Sequence, residues 1–422
     1  MTAHKEDKTK KTNKMIDNPF RPGAGHMPPY LAGREHEKKE FTKLLSQDVI
    51  LKNLVLTGLR GLGKTVLLEQ FKPMAMQAGW LWAGTDLSES TSISEENLAI
   101  RLLTDLSVIT SSLVVSVPTV RSGFIDADNA SIPLGYESLR AVFDKTPGLM
   151  LDKLKGVMEF VWPEVQTAGR HGIVFAYDEA QNLADHKAKD QYPLSLLLDL
   201  FQSLQRKGIR YMLALTGLPT LFPKLVEART FSERMFHVVF LNPLTEGETV
   251  KAIQEPVNKE GCPIHFAPES CKTVWNETRG YPYFIQYVCR EVFDIWVQAR
   301  NSGKDLPTIP VADITRKLDT DFFAGRWAKA TDRQRELLWV AATLPNCDSE
   351  FTVQELVENE ANKKGLTKPF SGSHANQMLV ALCEAGLVYK NRHGKYSFAV
   401  PLLAEFIKRQ IGVLASTIES PI

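Results

Sequence analysis

Short stretches in which nearly every position is apolar recur along the first 244 residues, separated by longer stretches with helical spacing. Five of the apolar stretches predict strands, at residues 54–56, 80–84, 172–177, 211–217 and 238–241. Apolar residues three or four positions apart, as in the leucines of 95–106, predict helices between them. Strands that are apolar on both faces are typical of parallel sheets covered by helices. This part of the chain is therefore predicted to have an α/β fold.

A second pattern, mainly helical, begins at residue 245. Thr245 and Glu248 form a capping box that opens a helical region. Further helices are predicted at 271–278, 284–299, 331–344, 352–361 and 373–387. Glycine and prolines in 301–312 indicate a linker. Two short strands, 387–390 and 396–399, follow the last helix as a hairpin, and three helices with a hairpin are the elements of a winged helix.

These patterns divide the chain into four parts. The lysine-rich polar residues 1–17 predict a disordered basic tail. Residues 18–244 form the α/β core, 245–312 the helical region with its linker, and 325–412 the winged-helix domain. The stretch near 108–150 gives mixed signals and is longer than the connection needs, so we expect an insertion there.

A glycine-rich loop stands between the first predicted strand and the next helix. Its residues are Gly58, Leu59, Arg60, Gly61, Leu62, Gly63, Lys64 and Thr65, with Val66 opening the helix. Strand, glycine loop and helix are the context of a phosphate-binding loop, because backbone N–H groups and the helix N-terminus attract an anion. Lys64 is the candidate to hold the β- and γ-phosphates of ATP, and the Thr65 hydroxyl is a candidate Mg²⁺ ligand.

Two carboxylates follow the predicted strand 172–177. Ligands bind at the carboxyl ends of parallel strands, so Asp178 and Glu179 are expected at a site. Asp178 is the candidate to bind Mg²⁺, directly or through water, and Glu179 the candidate to polarise the attacking water. Thr216 lies beside Asp178 if the strands 172–177 and 211–217 are neighbours. Its hydroxyl is then placed to hydrogen-bond the γ-phosphate or the water.

The composition of the chain restricts the class of protein and its compartment but identifies no partner. The 422 residues carry a net charge of +1, so a nucleic-acid interface would need a local basic surface. The five cysteines have no C-x-x-C spacing, which disfavours a zinc site or a disulfide framework. No signal-peptide pattern and no stretch of about 18 apolar residues occurs, so we expect a cytoplasmic protein that does not enter a membrane.

Four motifs together resemble those of the AAA+ superfamily. They are YLAGRE at 30–35, GLRGLGKT at 58–65, IVFAYDEAQ at 173–181 and YMLALTG at 211–217. They are most similar to the branch that contains origin-recognition-type initiators and transposition ATPases, to which the STAND signalling ATPases are related. The resemblance covers residues 18 to about 300. It implies a P-loop NTPase fold with a five-stranded parallel sheet and a helical lid at 245–312, ATP with Mg²⁺ as cofactors, and ATP hydrolysis.

Residues outside the central motifs are also candidates for nucleotide contact. In members of the resembled branch a Gly-apolar-Pro turn of the lid touches the nucleotide, and this turn corresponds to Gly280 and Pro282. The proline-rich strap ahead of the phosphate loop carries Tyr30 and Leu31, which are candidates to cover the adenine base. Many AAA+ proteins have a second-sensor arginine in the lid helix that follows this turn. Arg290 is available for that role, but it lies late in its helix, so the role is left open.

The resemblance implies sites shared between subunits, and hence self-association in ATP. Arg234, just before the last predicted strand, corresponds to the arginine finger that reaches the neighbouring subunit, with Arg229 as the second candidate. Two function classes remain open. The chain is a nucleotide-dependent oligomeric switch or remodeller that hydrolyses ATP, with DNA as a possible partner, or a STAND-like signalling switch that hydrolyses ATP slowly and binds protein.

The charge distribution of the winged-helix domain predicts weak DNA binding. Its third helix, 373–387, contains no lysine or arginine, and residues 331–422 carry ten Lys plus Arg against ten Asp plus Glu. The basic residues near the hairpin are Lys390, Arg392 and Lys395. About three phosphate contacts give only weak non-specific affinity, so a protein partner is favoured for this domain.

Overall fold

The computed structural model describes residues 17–23, 25–121, 124–258, 262, 264–366, 368–392 and 394–418. They form two units, one with residues up to Ala32 together with Leu244–Arg316, the other with Gly33–Pro243 and Lys317–Ile422. The predicted basic tail, 1–17, lies outside the described residues apart from Asp17. Among the described helices, none combines the length and apolar character needed to cross a membrane.

Strands and helices alternate through residues 35–240. The strands are β1 (Asn53–Thr57), β2 (Trp80–Ala83), β3 (Val114–Arg121), β4 (Phe124–Pro133), β5 (Gly172–Tyr177), β6 (Tyr211–Gly217) and β7 (Phe236–Phe240). The helices are α1 (Glu35–Leu45), α2 (Lys64–Gln77), α3 (Glu95–Thr110), α4 (Tyr136–Lys145), α5 (Met150–Thr167), α6 (Pro193–Arg206), α7 (Leu221–Ala228) and α8 (Ser232–Met235).

Five strands form one parallel sheet in the order β2-β5-β6-β1-β7, which confirms the predicted five-stranded parallel sheet. Each of the five matches one of the apolar stretches. Strands β1, β5 and β6 are buried at every position, because helices cover both faces. Phe175 in the centre of the sheet makes edge contacts with Phe201 of α6 and Tyr211 of β6, at ring-centroid distances of 5.0 and 5.7 Å.

A buried pair of amides joins strand β1 to helix α6. Gln205 Nε2 donates to Asn53 Oδ1 at 2.9 Å, and Asn53 Nδ2 donates back to Gln205 Oε1 at 3.2 Å. The same Asn53 oxygen accepts the N–H of Leu213 at 2.8 Å, and its nitrogen donates to the carbonyl of Met235 at 3.3 Å. One side chain thus ties together β1, β6, α6 and the end of α8.

The region predicted as an insertion contains an antiparallel hairpin, β3–β4, followed by α4 and the start of α5. Helix α4 packs on α3 and α5 through buried Leu139 and Phe143. The hairpin was not predicted from the sequence.

The smaller unit is helical, with α9 (Glu246–Val257), α10 (Pro268–Thr278) and α11 (Pro282–Asn301). The predicted capping box opens α9, where the Thr245 hydroxyl accepts the Glu248 N–H and the Glu248 carboxylate accepts the Thr245 N–H at 2.8 Å. Phe20 packs into this unit against Phe266 and Phe293, at 5.8 and 6.2 Å between ring centroids. Residues 17–32 therefore belong with these helices.

The remaining elements include the predicted winged-helix region. They are α12 (Val311–Leu318), α13 (Ala324–Trp327), α14 (Asp332–Ala342), α15 (Val353–Glu358), α16 (Glu360–Lys364), α17 (Gly372–Glu384), β8 (Val388–Arg392), β9 (Lys395–Phe398) and α18 (Leu403–Ile418). Helices α14, α15 and α17 and the β8–β9 hairpin follow the predicted order. A bridge between Phe351 and Tyr396 adds a third short strand to the hairpin. Helix α18, which the sequence did not predict, packs on α14, with Phe406 stacked on Phe323 at 5.2 Å.

Candidate functional site

The glycine loop joins the buried strand β1 to helix α2, as predicted. Gly63 is the N-cap of α2 with φ of +85°, a left-handed conformation that side chains other than glycine adopt only with strain. Lys64 and Thr65 form the first turn of α2, and Val66 follows them. The loop therefore presents the N-terminus of α2, with its positive dipole end, at the carboxyl edge of the sheet.

Lys64 is folded inward over the loop and is 9% exposed. Its Nζ donates to the backbone carbonyls of Gly58 at 2.9 Å and Leu59 at 3.0 Å. Burial lowers the pKa of Lys64, while the carboxylates of Asp178 and Glu179 act in the opposite direction. A bound anion would favour the charged form of this lysine further, which suits a phosphate-binding role.

Asp178 is the centre of the site. Thr65 of the loop and Thr216 of β6 each donate a hydroxyl hydrogen bond to its carboxylate, and the Glu179 N–H donates at 2.8 Å. The parallel pairing of β5 and β6 places Tyr177 opposite Leu215, so that the residues that follow, Asp178 and Thr216, are side by side. The structure thus brings together the phosphate loop, the carboxylate and the polar residue of the neighbouring strand, as the sequence predicted.

Glu179 has φ of +51°, in the left-handed region, and its side chain is exposed. Such backbone conformations in residues other than glycine are often associated with functional sites. The Gln181 amide donates a hydrogen bond to the Glu179 carboxylate, and its oxygen accepts the Leu218 N–H at 3.1 Å. Gln181 was part of the DEAQ motif but had no predicted role.

Asp86 is a third carboxylate at the same edge, and the sequence reasoning missed it. It follows β2 and pairs with Asp178 in a parallel bridge. Burial, and then the charges of Asp178 and Glu179, raise the pKa of Asp86. The signal that could have found it is its position after a predicted strand, since the carboxyl ends of all parallel strands meet at one edge.

Arg34 of the YLAGRE motif stabilises the phosphate loop by hydrogen bonds to backbone carbonyls. Its guanidinium donates to the carbonyls of Leu62 at 3.1 Å, Asn242 at 3.0 Å and Gly33 at 3.2 Å, and lies 3.6 Å from the Glu37 carboxylate. Arg34 is 4% exposed. It fixes the loop to the chain that leaves β7, and this role was also missed from the sequence.

The two candidate arginine fingers have different surroundings. Arg229 makes two hydrogen bonds to the Asp199 carboxylate, at 2.8 and 2.6 Å, and one to the Ser195 hydroxyl at 2.7 Å. The hydrogen bonds to Asp199 raise the pKa of Arg229. Arg234 lies in α8, is exposed, and within the part of the chain described here its guanidinium makes no hydrogen bond or ion pair.

The other predicted nucleotide contacts lie in the smaller unit. Gly280 has φ of +74°, and a Cβ there would come within 2.1 Å of the Leu244 carbonyl oxygen, so the turn requires glycine. Pro282 is the first residue of α11. Tyr30 is exposed and Leu31 half-buried. The contact of these four residues with a nucleotide stays a prediction.

Solved structures similar to this chain extend over nearly its whole length. A Walker-type ATPase of Pyrococcus abyssi is 15% identical with a TM-score of 0.53, over 90% of this chain and 96% of its own. The ORC2 protein of Aeropyrum pernix, in its ADPNP–ADP complexes, is 14% identical with a TM-score of 0.50, over 94% and 98%. This chain has an AAA+-type ATPase fold. The match confirms the predicted P-loop NTPase fold.

The ADP form of the same ORC2 protein is similar to this AAA+ chain at 14% identity and a TM-score of 0.52, over 96% of this chain and 100% of its own. Residues 320–407 match a family described as a domain of unknown function, DUF8462. No curated protein matches the sequence. The assignment of the AAA+ fold therefore rests on the structures, and the function rests on the site.

Proposed function

We propose that this AAA+ chain binds ATP with Mg²⁺, hydrolyses it to ADP and phosphate, and works as a nucleotide-dependent oligomeric switch or remodeller. The observation that carries the proposal is the convergence of Thr65 and Thr216 on Asp178, beside Glu179. A phosphate loop and two carboxylates at one sheet edge are the components of phosphoryl transfer to water. The ORC2 neighbour with ADPNP and ADP supports the nucleotide class.

The site residues fit these cofactors. The loop from Gly58 to Thr65 and the N-terminus of α2 would hold the phosphates, and Lys64 would donate to their oxygens. Thr65 and Asp178 offer the hydroxyl and carboxylate oxygens that Mg²⁺ prefers. The metal would neutralise charge that develops on the phosphate oxygens. Glu179 would hold the attacking water and accept its proton.

Self-association follows from the proposed arginine finger. Arg234 is exposed and has no partner among the described residues, whereas Arg229 is already engaged by Asp199. A charged side chain held by two hydrogen bonds within its own subunit would have to break them to reach a neighbour. This difference favours Arg234 as the residue that completes the site of a second copy.

For the C-terminal region we assign a winged helix that binds protein in preference to DNA. The exposed side of α17 carries Asn376, Gln377, Val380 and Glu384, with no cation. Val380 is 51% exposed, which fits a protein contact better than a phosphate backbone. DNA remains a partner to be tested.

ATPase assays with and without duplex DNA, run beside size measurements in ATP and in ADP, test the proposal. We expect Mg²⁺-dependent turnover that is lost in Glu179→Gln, and a larger assembly in ATP than in ADP. Glu137→Gln, which changes an exposed carboxylate of α4 away from the site, is the control. Absence of ATP binding would contradict the nucleotide assignment. Slow turnover with tightly retained ADP would support the signalling alternative.

A further inference from the structure

Gln181 links the two structural elements that flank the reaction site. It lies in the short helical turn Ala180–Asn182 that follows the carboxylates. Its amide nitrogen donates to Glu179 Oε2, and its amide oxygen accepts the N–H of Leu218 at 3.1 Å. The same side chain therefore contacts the carboxylate after β5 and the backbone directly after β6.

The position of Gln181 is fixed from several sides. Lys224 Nζ donates to its backbone carbonyl at 2.7 Å, and burial lowers the pKa of this lysine. A Cβ at Gly217 would come within 2.5 Å of the Gln181 amide oxygen, so the end of β6 leaves just enough room for the amide. Gln181 is thus held by contacts with α7 and the end of β6, while Glu179 itself is exposed.

We propose that Gln181 is a positioning residue that holds the Glu179 carboxylate in one orientation and couples it to the end of β6. The inference rests on the proposed ATPase function. An exposed glutamate samples several rotamers, and restricting it to one lowers the cost of reaching the reactive geometry.

The coupling has a defined route. Thr216, two residues before Leu218, donates to Asp178, so the end of β6 is bonded to both carboxylates, directly to one and through Gln181 to the other. A shift of this strand end, for example when Thr216 contacts a γ-phosphate, would therefore move Glu179 as well. This arrangement makes the orientation of the base depend on what β6 contacts.

Variants of the full-length chain test the role. Gln181→Ala should lower kcat by roughly tenfold, a part of the 10²–10⁴ that a general base supplies, and leave the Kd for ATP within about twofold. Gln181→Asn is too short for both contacts and should behave like Gln181→Ala. Asn182→Ala is the matched control, because Asn182 lies in the same turn and its side-chain amide donates to the Leu87 carbonyl, at 2.9 Å, and not to Glu179.

Comparing kcat with ATP affinity and stability separates positioning from a general loss of structure. Gln181→Glu is similar in size but places a second carboxylate beside Glu179, whose repulsion should displace it, so kcat should fall at least as far as in Gln181→Ala. In both variants the Kd for ATP and the urea midpoint of unfolding should stay near those of the wild type.

Three results are decisive. Wild-type turnover in Gln181→Ala or in Gln181→Glu would overturn the positioning role, while turnover by the wild-type chain and its loss in Glu179→Gln would leave the proposed ATPase standing. No turnover by the wild-type chain under any condition would instead overturn the proposed function, and the inference with it. An equal loss in Asn182→Ala and Gln181→Ala would show that only the integrity of the turn matters.

Discussion

Replacing Arg34 by methionine tests how the phosphate loop is supported. The substitution keeps an unbranched side chain but removes the guanidinium that binds the carbonyls of Leu62 and Asn242 and pairs with Glu37. Both charged side chains are nearly buried, at 5% and 11% exposure. The variant therefore leaves a buried carboxylate without this cation and the carbonyls of Gly33, Leu62 and Asn242 without this donor.

The size of the effect follows from these contacts. Breaking a buried ion pair by removing one partner costs about 3–5 kcal/mol, since the remaining charge is desolvated and unpaired. We expect Arg34→Met to lower the free energy of unfolding by about this amount. Removing both charges in Arg34→Met/Glu37→Leu should recover about half of the lost free energy of unfolding. The unsatisfied carbonyls account for the remaining loss, about 1–3 kcal/mol.

Urea unfolding of the full-length chain, followed by circular dichroism, measures these differences through the midpoint and slope of the transition. Lys38→Met is the matched control on the same helix. Lys38 forms an ion pair with Glu35 at 2.7 Å, but Glu35 is 73% exposed, so the loss should stay within about 1 kcal/mol. Equal losses in Arg34→Met and Lys38→Met, or no recovery in the double variant, would refute the reasoning.

Four further outcomes follow from the structure. Lys64→Ala should abolish ATP binding in a titration with a fluorescent analogue. Glu179→Gln should bind ATP and leave it uncleaved, as single-turnover assays would show. Arg234→Ala should cut turnover by roughly 10³-fold with nearly unchanged ATP affinity, and mixing it with Lys64→Ala should partly restore activity; no rescue would count against a shared site. Away from the site, Cys271 is fully buried, and burial raises its pKa to about 11, two units above its ordinary value, so at pH 8 its alkylation, followed by mass spectrometry, should be slower than in the unfolded chain by at least about a hundredfold.

The sheet could be predicted from the sequence because its strands are apolar on both faces. The predicted strands 172–177 and 211–217 have the bounds of β5 and β6. Placing Thr216 beside Asp178 required only that these strands be neighbours, which the structure confirms. The spacing of the motifs and the pattern of the strands were thus enough to predict the centre of the site.

Features that depend on strand order or on individual side-chain contacts could not be predicted. Asp86 stands out only as a residue after a predicted strand, and its bridge to Asp178 depends on the pairing of β2 with β5, which residues 84–171 separate in the chain. The roles of Arg34 and Gln181 depend on which carbonyl or carboxylate each side chain reaches. Strands β3 and β4 carry proline and aspartates, which weakened the alternating pattern by which strands are predicted.

The reciprocal amide pair of Asn53 and Gln205 has a consequence for related sequences. Both side chains are buried, and each supplies the other with a donor and an acceptor. Changing one alone leaves the other amide without its partner at a cost of about 1–3 kcal/mol, and replacing both by apolar residues also removes the side-chain partners of the Leu213 N–H and of the Met235 and Tyr211 carbonyls. In an alignment of relatives, positions 53 and 205 should therefore covary, although they are 152 positions apart in the sequence.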